Sequence, residues 1–200
     1  MAKRSFDLAV ASPALLVLSP FLLLIAVLIK LGSPGPVLHK GERVGKGGQP
    51  FHILKFRSMV MGSDAVGPQR TAAGDSRITR VGHFLRKWKL DELPQLINVI
   101  RGEMSLVGPR PESPYYARHF TPEQRRVLEA TPGITGLAQL AFRREEETAT
   151  GDDLDESYLR DILPHKLEMD LQYIDSASII LDLRIILRTL GSLLSRFAGG

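Results

Sequence analysis

The chain has 200 residues, 26 Lys+Arg against 22 Asp+Glu, and a formal net charge of +4 at pH 7. That length suits a single domain with its own core, and the mild basicity favours anionic partners without choosing among phosphate, lipid and nucleic acid. The chain contains no cysteine, which excludes disulfides, thiolate zinc sites and cysteine nucleophiles, and its five histidines (His39, His52, His83, His119, His165) show no metal-ligand spacing.

The first predicted element is apolar. The run Leu8–Ile29 carries no charge over 22 residues, enough at ~1.5 Å per residue to cross a hydrocarbon core of ~30 Å. A cleaved secretory signal is not expected, because its apolar region is shorter, roughly 7–15 residues, and ends at small residues rather than at Lys30 and a Gly-Pro turn. Ser19-Pro20 falls at mid-run. Pro20 lacks a backbone donor, and the residue before a proline is biased toward extended geometry. Basic residues flank both ends, Lys3 and Arg4 before and Lys30, Lys40 and Arg43 after, so the asymmetry that orients a span is missing. The expectation is a re-entrant helix-break-helix over residues 1–33, broken at Ser19 and Pro20. A cytoplasmic domain over residues 34–200 follows, ending in an amphipathic helix.

The turn "GSPGP" closes the apolar segment. "VLHKGERVGKGGQPFHILKFRSM" then reads as two short strands around the Gly-rich turn "GKGGQP". Residues 61–75, rich in Gly and Ala, read as a loop. From Asp75 a helical spacing resumes, with Ile78, Val81, Phe84, Leu85 and Trp88 on one face. Thr121, Pro122 and Gln124 form an N-cap, an N1 proline and a capping box. "PGITG" is a turn, and "TATGDDLDES" (Thr148–Ser157) is a solvated acidic helix start. In the C-terminal segment Ile179, Leu183, Ile186, Leu187, Leu190, Leu194 and Phe197 form an apolar stripe, with Arg184, Arg188, Ser192 and Arg196 opposite. Such a helix either lies in a membrane interface or packs on its own domain. In sum these elements predict an α/β fold, mostly helical, with a small β-hairpin.

The chemistry gathers at "LRKWKLDELPQLINVIRGEMSLVGPRP" (Leu85–Pro111). One reading is structural: Asp91 as a helix N-cap, Glu92 in the first turn and Pro94 at N3, with Leu93, Leu96, Ile97 and Ile100 facing a core. The other is phosphoryl transfer. A carboxylate can attack phosphorus to give an acyl phosphate. Its anionic substrate must be met by positive charge, and Arg86, Arg110, Lys55 and Arg57 are the candidates, Arg110 being fixed between Pro109 and Pro111. A neighbouring carboxylate and phosphate oxygens suit Mg²⁺. Surface salt bridges would explain the same arginines.

The chain resembles the bacterial sugar transferases, small monotopic phosphoglycosyl transferases that begin glycan assembly on polyprenyl phosphate. The resemblance runs through "KRSFD", the Ser19-Pro20 pair, "SPGPV", "KFRSM", "GDSRITRVGHFLRK", "LDELPQLINVIRGEMSLVGPRP" and "PGITGLAQ". It implies a re-entrant membrane helix, an α/β catalytic domain and interfacial amphipathic helices at the cytoplasmic face of the bacterial inner membrane. It further implies that Asp91 attacks the β-phosphorus of a UDP-sugar (here undefined), that UMP leaves, and that polyprenyl (undecaprenyl) phosphate takes the phosphosugar from the aspartyl intermediate. Asp91 and Glu92 would hold Mg²⁺ or Mn²⁺. Arg86 and Arg110 would hold phosphate, with Pro109, Pro111, Lys55, Arg57 and Gln139 around the donor. One departure stands out: where the family commonly shows "WAQVNGR", this chain has "LAQLAFR" from Leu137 to Arg143, which puts the role of Gln139 and of Leu137–Arg144 in question. The alternatives are a membrane-surface scaffold with a basic face and a nucleic-acid binder. Nothing in the sequence supports the second: it lacks interleaved aromatic and basic residues.

Overall fold

The structure is a computed structural model that describes residues 2–63, 70–72, 74–143 and 153–198. Part of the expected loop at 61–75, half of the acidic stretch at 148–157, and Arg144 lie outside the described residues, as do the side chains of Arg196 and Phe197.

Helix α1 spans Ala2–Gly32 without interruption. The expected break at Ser19-Pro20 is therefore not a loss of helical backbone. The reason is local. Pro20 cannot donate to the Leu16 carbonyl, but the Ser19 hydroxyl donates to that same carbonyl at 2.7 Å, replacing the missing bond as hydroxyls do in apolar surroundings. One stripe of α1 faces the rest of the chain: Asp7, Ala11, Ile25 and Ile29 are buried, and Leu15, Leu18 and Leu22 pack against the cores between them. The opposite face leaves Leu16, Val17, Leu23, Val27 and Leu31 exposed. Among the described residues α1 is the one helix long and apolar enough to cross a membrane.

The anticipated hairpin is present. Strands β1 (Leu38–Val44) and β2 (Pro50–Phe56) pair antiparallel, Leu38 opposite Phe56 and Val44 opposite Pro50. Helix α2 (Arg80–Lys87) starts at Thr79, whose hydroxyl accepts from the Gly82 N–H at 2.9 Å. Leu85 is its buried apolar anchor, whereas Phe84, expected on the same face, is 57% exposed. Helix α3 covers Gln95–Arg101. The N-cap assignment of Asp91 is corrected here. Pro94, not Asp91, precedes α3, and Asp91 lies in a separate 3₁₀ turn, Leu90–Glu92. Lys89 enters that turn in the left-handed region (φ 54), so the chain changes direction between α2 and α3 instead of continuing one helix.

A second sheet was not anticipated. Strands β3 (Ser105–Val107) and β4 (Gly133–Thr135) pair in parallel. Three residues each are too few to show a period of two. Gly108 and Gly133 let the two backbones touch, since a Cβ on Gly133 would stand 2.1 Å from the Gly108 nitrogen. Helix α4 (Pro114–Ala117) follows β3. The Thr121–Gln124 capping box forms with both reciprocal bonds, 2.9 and 3.2 Å, but opens a 3₁₀ helix, Gln124–Glu129. Helix α5 is Leu137–Ala141 and α6 Leu154–Ser157. A π-helical turn, Tyr158–Ile162, leads into α7 (Leu163–Asp175), and α8 runs Ile179–Ala198. The architecture is mostly helical with two small two-stranded sheets and a long apolar N-terminal helix.

The "KRSFD" segment ties the ends of the fold together. Lys3 pairs with buried Asp182 of α8, and Tyr173 of α7 donates to the same carboxylate at 2.7 Å. Arg4 donates to the Val99 and Ile100 carbonyls at the end of α3. Asp7 accepts from the Ser105 hydroxyl (3.0 Å) and the Leu106 N–H (3.1 Å) of β3. In α8 the buried face is Asp182 and Ile185; Ile179, Leu183, Leu187, Leu190 and Leu194 of the predicted stripe point outward.

Candidate active site

The 3₁₀ turn places Asp91 and Glu92 on the wall of a cavity of about 850 Å³. Lys89 is the only non-glycine residue with positive φ among those described. Such a backbone conformation carries a cost and recurs at functional sites. The two carboxylates have different surroundings. Glu92 is anchored: its Oε1 accepts from Lys55 Nζ of β2 at 2.7 Å and from Arg110 Nη2 at 3.0 Å. Asp91 is buried, and its Oδ1 has no hydrogen-bond partner.

The electrostatics separate the pair further. Burial pushes the Asp91 carboxyl above its ordinary value; Lys55 works against that, and the Glu92 charge adds to it. Burial also acts on Glu92, but Arg110 and Lys55 overcome it and hold that carboxyl well below the usual range. Lys55 is lowered by its own burial, with Glu92 opposing. Two adjacent carboxyls driven apart in this way take different chemical roles: Glu92 stays ionised as the fixed counter-charge of two cations, while Asp91 keeps an uncommitted oxygen in a low-dielectric wall.

Arg86, in the last turn of α2, lines the same cavity and lowers the Asp91 carboxyl through its charge. Arg110 sits in "VGPRP", directly after β3. The Gly133 N–H donates to the Pro109 carbonyl at 2.8 Å, so the two glycine-containing motifs hold each other backbone to backbone. Pro111 lines the cavity. Gln139 of α5 does too, and both atoms of its side-chain amide are buried without a partner. Arg57 stands apart from this cluster. Although it borders the cavity, its guanidinium donates to the Pro34 carbonyl (2.6 Å), the Ser33 carbonyl (2.7 Å) and the Ser33 hydroxyl (2.9 Å), bracing the turn after α1.

Several wall residues were not singled out from the sequence. Arg43 of β1 has its guanidinium lowered by burial, with the Glu112 charge opposing. Tyr158, at the π-helical turn, carries Arg70 at 3.8 Å and Lys166 at 4.9 Å from its ring centroid, and its hydroxyl donates to Glu112 at 2.5 Å. A π turn is a sign of a functional position, but periodicity does not reveal one. Phe142, in the stretch that departs from the family pattern, lies 5.6 Å beneath Lys166. The wall thus gathers cationic side chains around Asp91 and Glu92, with Glu112 as a further carboxylate.

Among the described residues no three His, Asp or Glu side chains form a ready-made metal cage. Two carboxylates completed by substrate phosphate oxygens are nevertheless a set that Mg²⁺ accepts. The unpartnered Asp91 Oδ1 beside the Glu92 carboxylate fits that requirement.

Comparison with known proteins gives the family. The bacterial sugar transferase family matches residues 1–196. The UDP-glucose:undecaprenyl-phosphate glucose-1-phosphate transferase of Caulobacter vibrioides is 41% identical over 199 residues, covering 98% of this chain and 70% of that protein. The exopolysaccharide production protein PSS of Rhizobium leguminosarum is 42% identical over 204 residues, covering 98% and 97%. The UDP-N-acetylgalactosamine-undecaprenyl-phosphate N-acetylgalactosaminephosphotransferase of Aeromonas hydrophila is 41% identical over 200 residues; there this chain corresponds to 44% of its relative. With a match over nearly its whole length, the chain belongs to the bacterial sugar transferase family.

Proposed function

We propose that the protein moves a sugar 1-phosphate from a UDP-sugar to undecaprenyl phosphate through a covalent phosphosugar-aspartyl intermediate on Asp91. It is an enzyme of the sugar-1-phosphate transferase type, as the names of its relatives imply. The observation that carries the intermediate is the asymmetry of the acidic pair: Glu92 is locked by Lys55 and Arg110, while Asp91, also on the cavity wall, keeps a buried oxygen with no partner.

In the first step an Asp91 oxygen attacks the β-phosphorus of the donor. The bond from that phosphorus to the bridging oxygen breaks, and UMP leaves with the electron pair. In the second step a phosphate oxygen of the acceptor attacks the same phosphorus and Asp91 departs as a carboxylate. Burial raises Asp91 and so works against its ionised form, while Lys55 and Arg86 favour it. Arg110 both fixes Glu92 and offers donors to the phosphates. Asp91 and Glu92, completed by donor oxygens, would hold Mg²⁺, which would supply offsetting positive charge at the diphosphate.

The membrane arrangement belongs to the same reading. Both ends of α1 pack on one domain, Lys3–Ala11 near α3, β3 and α8, and Ile25–Gly32 near β2 and α2. That favours an unbroken helix with both ends on the cytoplasmic face and its exposed apolar side turned toward the membrane. The outward leucines of α8 and the exposed Phe84 of α2 are suited to the headgroup boundary. The test is the intermediate. Incubation with a UDP-sugar and Mg²⁺ but no acceptor should release UMP and add one phosphosugar mass to the peptide containing Asp91. UMP release that strictly requires the lipid, with no adduct trapped, would replace this mechanism by direct attack of the acceptor. Full turnover with Asp91→Ala would remove Asp91 as the nucleophile, whereas no turnover by the wild-type protein with any UDP-sugar would leave the scaffold reading.

A further inference from the structure

The cavity has two kinds of wall. Arg43, Lys55, Arg86 and Arg110 line it with the acidic pair. Beginning at Leu96 on α3, the lining turns apolar and continues through Ile53, Leu106, Ile134, Leu140 and Ile186. These side chains belong to, or pack against, one buried cluster shared by Ala11 of α1 and Ile185 of α8. The polar groups on this side are largely spent on one another. The Thr135 and Thr189 hydroxyls bond at 2.8 Å, Thr189 donates to the Ile185 carbonyl at 2.8 Å, and Arg143 donates to the Ser192 hydroxyl. Gln139, whose amide has no partner, is the exception. The apolar side also has a mouth. Val10 of α1 and Leu190 of α8 line the cavity and are 39% and 51% exposed, so the cavity meets the molecular surface at both. The apolar stripes continue outside it: Val17 lies about two helical turns past Val10, and Leu187 and Leu194 flank Leu190, all exposed.

We propose that this apolar side is the groove for the prenyl chain of the lipid-phosphate acceptor, entered past Val10 of α1 and Leu190 of α8. This rests on the transferase reading above. Chemistry selects the occupant. A ligand that uses both walls must bring an anionic group to the cationic one and hydrocarbon to the apolar one, and a UDP-sugar has no hydrocarbon to offer. A cavity of about 850 Å³ is of small-molecule size. It takes the phosphate and the first isoprene units, while the rest of the chain stays outside, among the outward leucines of α1 and α8. Lipid tails are as apolar as leucine, so the groove gains nothing by drawing the chain from a bilayer. Its work is to impose no polar cost along the path and to aim the phosphate at Asp91. The exposed rim at Val60 and Met61 is a poorer route: Ser58, Ser63 and Arg70 also line the cavity there, which suits the water-soluble nucleotide.

The experiment uses purified full-length protein in detergent with Mg²⁺ and a prenyl phosphate that carries a diazirine in its isoprenoid chain. Light should attach the probe to the peptide containing Val10 and to peptides from residues 186–194. Excess undecaprenyl phosphate should remove the label, and excess phosphatidylglycerol should not. Kinetics supply the second arm. Leu190→Asp puts a charge on the path and should raise KM for undecaprenyl phosphate by about tenfold or more, with KM for the donor within about twofold. Leu187→Asp, on an exposed position of the same helix that does not line the cavity, should change either constant by no more than about twofold. Equal effects of the two substitutions would make α8 a general membrane contact and overturn the groove. So would label on the peptide containing Val60–Ser63 in place of the two helices, or label that phosphatidylglycerol displaces as readily as undecaprenyl phosphate. Should Leu190→Asp not fold, the labelling of wild type decides. Absence of UMP release by wild type with every UDP-sugar would instead overturn the transferase reading, and the labelling would still decide whether the groove takes a prenyl chain.

Discussion

Replacing Asp91 by Asn should move activity and stability in opposite directions. The side chain keeps its size but loses its charge. Activity should fall by about 10⁴-fold or more, the scale on which removal of a catalytic nucleophile is felt. Stability should rise. The folded surroundings disfavour the ionised form of Asp91, because burial and the neighbouring Glu92 outweigh Lys55. Its Oδ1 has no partner, a defect worth about 1–3 kcal/mol and more severe for a charge than for an amide. The neutral amide should recover about 1–2 kcal/mol of that. For a chain of this size each kcal/mol is roughly 2–4 °C, so Tm should rise by about 2–8 °C at pH 7.5. The sign with pH follows. A carboxyl raised in the fold is most favourable below its unfolded value of 3.8 and loses that advantage as pH climbs through its folded value. The gain from Asn is therefore absent in strong acid and grows as pH rises. Thermal unfolding of detergent-solubilised protein at several pH values, beside UMP release, reads both effects. A Tm that falls, or turnover within tenfold of wild type, would refute the argument.

Glu92→Gln should do the reverse to the fold. It removes the counter-charge of Lys55 and Arg110 and should cost about 2–4 kcal/mol near neutral pH, read as a lower Tm with impaired turnover. Because Glu92 is held below its ordinary value of 4.5, the deficit should shrink only as pH falls beneath that value. An excess of chelator should abolish turnover, and added Mg²⁺ or Mn²⁺ should restore it; full activity in chelator would remove the metal from the reading. Single cysteines at Ala2 and Lys40, both exposed and free of competing thiols, should react with impermeant reagents only from the cytoplasmic side. Periplasmic labelling of either would mean that α1 spans the bilayer.

The acidic pair was legible because its chemistry lies in adjacent residues; Asp91, Glu92, Lys55, Arg86 and Arg110 do meet around one cavity. The hairpin was legible from its alternation and glycine turn. What the sequence hid was assembled across distance. Arg43, Tyr158 and Lys166 join the site from β1, the π turn and α7, and no local pattern marks a residue for a partner it meets only after folding. Capping rules misplaced the start of α3, because an acidic residue before an apolar run looks the same whether it caps a helix or turns a corner. Propensity cannot foresee that Lys89 adopts φ 54. The proline rule overstated the break in α1, since it counts the lost N–H of Pro20 and not the hydroxyl of Ser19 that takes over its acceptor. Arg57 was grouped with the phosphate binders by charge alone, whereas carbonyls of the turn after α1 claim it.

The bond between Lys3 and Asp182 joins positions 179 apart. At roughly 5–20 residues per second of synthesis, that separation is on the order of 10–35 s on the ribosome. Asp7 meets its partners Ser105 and Leu106 sooner, 98 and 99 positions on. During translation α1 therefore acquires its partners in β2, α2, α3 and β3 first, and the one in α8 only later. A nascent chain stalled shortly after Ser176 would hold Asp7 in place while Lys3 and Tyr173 still lacked the carboxylate they share. Protease sensitivity of arrested chains of increasing length should accordingly fall in two steps, the second appearing once residue 182 has emerged.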